Sequence, residues 1–200
     1  MQVSAAGLAT AVEGASGLLA PRLTDAGDDA VLREHGLLDD GGLTAAGLEW
    51  FEPVREPTYV FRIERSLAGV EAAQSFYVSL PTQRAVQVLA EADGSYTLVA
   101  LPLAEVQYAG LIEAAGIWPG THPEPEPDAT PPSEGEDAEA ALVTTLVVLH
   151  DQGDGFTEHE LSWLDLDEDG LWLLEDGTLS PTSDYALYQR IPPLLHVLDR

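Results

Sequence analysis

The chain contains neither cysteine nor lysine. Without thiols there is no disulfide, no thiolate zinc site, no iron–sulfur cluster and no cysteine nucleophile. Without lysine there is no Walker-A phosphate loop, no kinase strand lysine and no amine for a Schiff base to pyridoxal phosphate. Basic charge is scarce altogether. Eight arginines face 35 acids, a formal net charge of −27 over 200 residues. That balance repels nucleic-acid phosphates and anionic membrane surfaces, so neither is expected as a partner. No uncharged apolar run approaches the ~20 residues of a membrane span. Residues 1–20 hold no basic residue, so no signal-peptide n-region is expected. The simplest location is cytoplasmic.

What remains is ordinary for a folded chain. It is 45% hydrophobic, with 18 Gly and 14 Pro, enough to bury a core without covalent staples. The charge is unevenly spread. No arginine lies between Arg84 and Arg190, whereas 22 of the 35 acids do. Positive potential is confined to the segment that ends at Arg84 and to the C-terminal end, so a negatively charged partner has to approach through that first part.

The segment from Met1 to Pro57 reads as helical. Ser4 caps a helix through Glu13. Thr24 or Asp25 caps a second that Gly36 stops in left-handed conformation, and Thr44 caps a third, Ala45 to Glu52, ended by Pro53. The period then becomes two. Strands are expected at Thr58–Glu64, Ser75–Leu80, Ala85–Ala90 and Ser95–Leu101, the last two joined around Asp93-Gly94. Pro102 opens a helix to about Ala115. Six Pro and seven acids crowd residues 118–140, the composition of a flexible linker. Strands resume at Leu142–Leu149, Leu161–Leu166 and Leu171–Leu174, the last two turning on Asp169-Gly170. Pro181 opens a closing helix that Pro192-Pro193 interrupts. The expected fold is α+β: a mainly antiparallel sheet, helices on one side, and two loosely repeated hairpin–helix halves. The halves are 1–118 and 141–200, with 119–140 as the Pro/acid linker, in one composite domain.

Motifs for chemistry are few. Asp165-x-Asp167-x-Asp169-Gly170 with Asp176 at the twelfth position has the register of a calcium loop. Gly177 and Pro181 deny it an exit helix, so an acidic turn is the preferred reading and a metal site the weak alternative. The same apolar stretch ending in Asp-x-Asp resembles the nucleophile motif of haloacid-dehalogenase-like phosphatases, but only a short stretch of chain follows it. His150, Asp151, Asp154, Glu158, His159 and Glu160 read as a solvated loop, with Thr157 and Glu160 as a capping box. No Gly-x-Ser-x-Gly elbow is present. No cofactor and no catalytic residue are expected.

The tract Ala30-Val31-Leu32-Arg33-Glu34-His35-Gly36-Leu37-Leu38-Asp39-Asp40-Gly41-Gly42-Leu43 resembles the A-x-L-x-x-x-G-L-L-D-x-G stretch of the EspG family, cytoplasmic chaperones of actinobacterial type VII (ESX) secretion. The strands at Tyr59–Arg65, Ser75–Leu80 and Ala85–Ala90, the Leu-Pro before a helix, and the Trp-x-Asp, Asp-Gly hairpin and closing helix of Leu161–Leu195 are similar to that family's order of elements. The resemblance implies a non-catalytic protein whose partner is a helical secreted protein or a helical pair. Two contact regions are then expected. One is the loop Ser66 to Ala73, with Leu67 and Val70. The other is the closing helix, with Tyr185, Tyr188 and Leu195. The alternative, resting on the −27 charge, is an acidic antidote or immunity-type protein that masks a basic toxin or a nucleic-acid-binding site. The oligomeric state is unspecified by any motif.

Overall fold

Several stretches of period-two apolar residues bounded by turn residues become strands. The computed structural model describes residues 1–3, 30–40, 42–91, 93–106, 111–117, 120, 122, 130–131, 141–151, 156–166 and 170–195. In chain order its elements are β1 (Gln2–Val3), α1 (Ala30–Glu34), β2 (Leu38–Asp39), β3 (Gly42–Leu43), α2 (Ala45–Arg55), β4 (Tyr59–Leu67), β5 (Val70–Ser79), β6 (Arg84–Ala90), β7 (Tyr96–Pro102), α3 (Leu103–Glu105), α4 (Leu111–Ala115), β8 (Leu142–Asp151), β9 (Phe156–Asp165), β10 (Leu171–Glu175), β11 (Thr178–Thr182) and α5 (Asp184–Leu195). The fold is α+β. Hydrogen-bonded strand order is β1-β7-β6-β5-β4-β8-β9-β10-β11, with β2-β3 as a separate pair, and β5-β6-β7-β1 and β9-β10-β11 pair antiparallel. The expected helix at Ser4–Glu13, the first part of the one from Thr24 and nearly all of the Pro/acid tract lie outside the described residues; the end of that second helix is α1.

By its contacts the chain divides into two units. The first is Met1–Phe61, Gln74–Val106 and Leu149–Thr157; the second is Arg62–Ala73, Gln107–Val148 and Glu158–Arg200. In the first unit, register sets the core. Tyr77 faces Val86 and Val88 faces Leu98 across the strands, so these side chains share one face. Leu32 of α1 and Phe51 and Val54 of α2 pack into the same cluster.

The links between those helices are built locally. Gly36 has φ +68; its N–H donates to the Arg33 carbonyl and that of Leu37 to the Leu32 carbonyl, at 3.0 and 2.8 Å. This is the Schellman closure of a helix, with Leu37 and Leu32 both in the core. The small pair β2–β3 then leads to Thr44, whose hydroxyl accepts from the Gly47 N–H at 3.1 Å as the N-cap of α2. Pro53 does not end this helix, which runs on to Arg55. Lacking an N–H, Pro53 leaves the Glu49 carbonyl, one turn back, without its helical donor. Arg84 supplies one: its Nη1 donates to that carbonyl at 3.1 Å and to the Glu49 carboxylate at 3.0 Å.

In the second unit, β10 pairs with β9 (Leu171 opposite Asp165, Leu173 opposite Trp163) and with β11 (Leu171 opposite Thr182). Three sequence expectations are corrected here. Thr157 and Glu160 form no capping box, because they belong to strand β9, which starts at Phe156. Pro181 opens no helix. It lies in β11, the last strand in the order, where a missing N–H leaves no ladder bond unmade. The helix starts at Asp184 instead and continues through Pro192 and Pro193. The second half therefore departs from the order hairpin then helix. The stretch from Gly170 to Pro181 holds a whole extra turn, Asp176-Gly177, both with positive φ, and the start of a further strand.

Of the described glycines, Gly47 has the least room. A Cβ there would stand 2.0 Å from the Leu37 carbonyl oxygen, a backbone atom that cannot swing away. Gly47→Ala is expected to destabilise the protein by roughly 2–3 kcal/mol in urea unfolding, while Leu48→Ala, the next position and exposed, stays within about 0.5 kcal/mol. Equal effects from the two would contradict this docking.

Candidate functional site

The apolar residues singled out at Ser66–Ala73 lie on a hairpin. Strands β4 and β5 are joined by Ala68 and Gly69, with φ +49 and +78. Positive φ at both central positions is the demand of a type I′ turn, whose twist matches that of the flanking strands. Glycine meets it freely; Ala68 meets it against a steric penalty of about 1–2 kcal/mol. Val70, Glu71, Ala72 and Ala73 are all exposed. Consecutive strand residues point to opposite faces, so this part of the hairpin is an arm wetted on both sides. Leu67 is 47% and Val70 73% exposed, an apolar pair flanking the turn.

The closing helix contributes less. Tyr185 is 60% exposed, whereas Leu187 is fully buried and Tyr188 half-buried. The side chain of Leu195, the last residue of α5, lies outside the described residues. Leu174 on β10 is exposed to 37%.

The acidic tract does not assemble as its spacing suggested. Asp165 is registered with Leu171, at one end of β10, and Asp176 follows the other end in an exposed turn. At about 3.3 Å per residue these positions stand roughly 17 Å apart. Strand β10 stands where a calcium loop would have to curl, and Asp167 and Asp169 lie outside the described residues. In the first unit, His150 Nε2 lies 2.9 Å from the Tyr59 hydroxyl and its ring stacks on that of Tyr59 at 4.3 Å. Burial pushes the Tyr59 phenol upward in pKa. Among the described residues no group of three His, Asp or Glu side chains is arranged to hold a metal ion, and no helix is long and apolar enough to cross a membrane.

Asp165 instead belongs to a cluster that no spacing announced. His122, from the Pro/acid tract, donates through its backbone N–H and meets with Nδ1 the two carboxylate oxygens of Asp184, both at 2.8 Å. Its Nε2 lies 3.0 Å from Asp165 Oδ2. Asp184 is almost wholly buried, at the start of α5, where the helix dipole favours a negative charge. A neutral imidazole has one N–H and can donate to one of these carboxylates; the imidazolium donates to both. Burial lowers the His122 pKa, but the Asp184 hydrogen bond, the charges of Asp165 and Asp184 and the Asp165 hydrogen bond outweigh it, and the net shift is upward. Nothing in the sequence flags this histidine, because its partners Asp165 and Asp184 lie far along the chain from it.

No protein-family model matches the chain, and no curated protein matches it.

The raised pKa of His122 fixes the sign of a pH effect. Its contribution to stability is complete below the ordinary histidine pKa of 6.5 and is lost as pH rises through the higher folded value. The difference in urea midpoint between the wild type and His122→Gln is expected to shrink from about pH 6 to about pH 9. A difference that grows with pH would contradict the doubly bonded imidazolium.

Proposed function

We propose that the chain is a non-catalytic cytoplasmic binding protein, a chaperone of the EspG type that keeps a helical type VII secretion substrate soluble before export. The observation that carries this reading is the arm: Leu67 and Val70 stand exposed on either side of a tight turn, on a strand extension solvated on both faces. A folded chain gains nothing in its own stability from apolar side chains held in water, whereas a partner that covers them gains on the order of 1–2 kcal/mol for each. Tyr185 offers a second anchor from α5. The acids around these anchors steer encounter and reject wrong partners more than they add affinity. An amphipathic helix, or the tip of a helical pair, presents the complementary apolar surface.

The test is co-expression with small helical secreted proteins from the same genome. One of them is expected to copurify and to stay bound as salt rises from about 0.1 M to about 0.5 M, since screening weakens exposed charge pairs and leaves apolar burial intact. A Leu67→Asp/Val70→Asp double variant of unchanged melting temperature is expected to bind at least about tenfold more weakly. If none copurifies, and a basic nuclease or toxin binds with steep salt dependence, the antidote reading replaces this one.

A further inference from the structure

Ile63, Arg65 and Leu67 alternate along one face of β4 as it runs out to the turn. Burial falls along that row: Ile63 is enclosed, Arg65 half-buried, Leu67 exposed. The guanidinium of Arg65 lies against Gly116, where an added Cβ would stand 3.1 Å from Nη2. Its Nε is shut off from solvent and has no hydrogen-bond partner. Arg33, Arg62, Arg84 and Arg190 pair with Asp40, Glu64, Glu49 and Glu175. Among the described residues no carboxylate pairs with Arg65. In a chain with 35 acids for eight arginines, a half-buried arginine without one is a cation held ready beside an apolar anchor.

We propose that Arg65 reads charge on the partner: the helical segment that covers Leu67 carries an aspartate or glutamate whose carboxylate pairs with the Arg65 guanidinium. The planar fork of an arginine matches a carboxylate in two parallel hydrogen bonds, here through Nη1 and Nη2, since Nε is closed to solvent. The spacing fits a helix. Alternate residues on a strand face are about 7 Å apart, and residues three or four apart on a helix lie about 5–6 Å apart. The acid therefore stands one helical turn from the apolar residue that meets Leu67. The pairing also supplies specificity, because the rest of this acidic surface repels a carboxylate placed anywhere but opposite Arg65. The inference rests on the arm being the binding surface.

A displayed library of two-helix hairpins tests it, with an apolar tip residue fixed and the positions one helical turn from it randomised. Selection on the wild type is expected to enrich Asp or Glu there, and selection on Arg65→Glu to enrich Lys or Arg. Arg65→Gln is expected to lose the preference and to bind the acid-bearing hairpins about tenfold more weakly, with the tip still required and the melting temperature kept. If Arg65→Glu does not fold, Arg65→Gln decides alone. Apolar tips selected with no charge preference overturn the role of Arg65 and leave the arm as the binding surface. No hairpin selected at all overturns both.

Discussion

Two neighbouring residues in the left-handed conformation, Ala68 and Gly69, set what the second unit presents to solvent. Their turn fixes the loop length, and that length fixes which residues of β4 and β5 face each other. A slip by a single position would exchange the faces and move Arg65 and Leu67 to the opposite side. Alanine is a costly choice for such a position. The penalty is tolerated in a turn whose flanks, Leu67 and Val70, are themselves exposed apolar residues. Local strain and exposed apolar surface thus coincide at one place, as they often do where a protein meets a partner.

The scarcity of cations shapes the rest of the molecule. With few available, some of the ion pairs tie one element to another. Arg84 answers the carbonyl that Pro53 leaves without a donor and at once pairs with Glu49. Glu52 of the same helix accepts from the Ser79 and Thr82 hydroxyls at 2.7 and 2.8 Å, fastening α2 over the end of β5. Arg190 of α5 meets Glu175 of β10. In the second unit a histidine stands in for an arginine, bridging the carboxylates of Asp165 and Asp184. The histidine makes one tie of the Pro/acid tract titratable, with its pKa held above the ordinary histidine value by the two carboxylates, which an arginine would not allow.

Much of the fold was legible because its signals are short-range. The Thr44 cap, the Gly36 stop, the Asp93-Gly94 turn and the alternation of Tyr59, Phe61 and Ile63 each depend on residues within a few positions of one another. The misreadings share the opposite character. Pro53 reads as a helix end until Arg84, from strand β6, is found donating to the Glu49 carbonyl. Pro181 reads as a helix start because a last-strand position is a property of the sheet and not of the tetrapeptide around it. Thr157-x-x-Glu160 has the letters of a capping box, yet strand pairing outweighs a cap. Of the candidate site, Leu67 and Val70 were legible as apolar residues in an otherwise turn-like stretch, and Tyr185 as a residue of the closing helix. Arg65 was not, since the missing partner of an arginine is a fact of three dimensions.

The central claim is that the β4–β5 arm is where a helical partner is held. Hydrogen–deuterium exchange of the chain with and without its copurified client measures this directly. Exchange at residues 64–73 is expected to slow on binding, with α2 unchanged. Unaltered exchange across residues 64–73, with protection gained elsewhere in the chain, would contradict it.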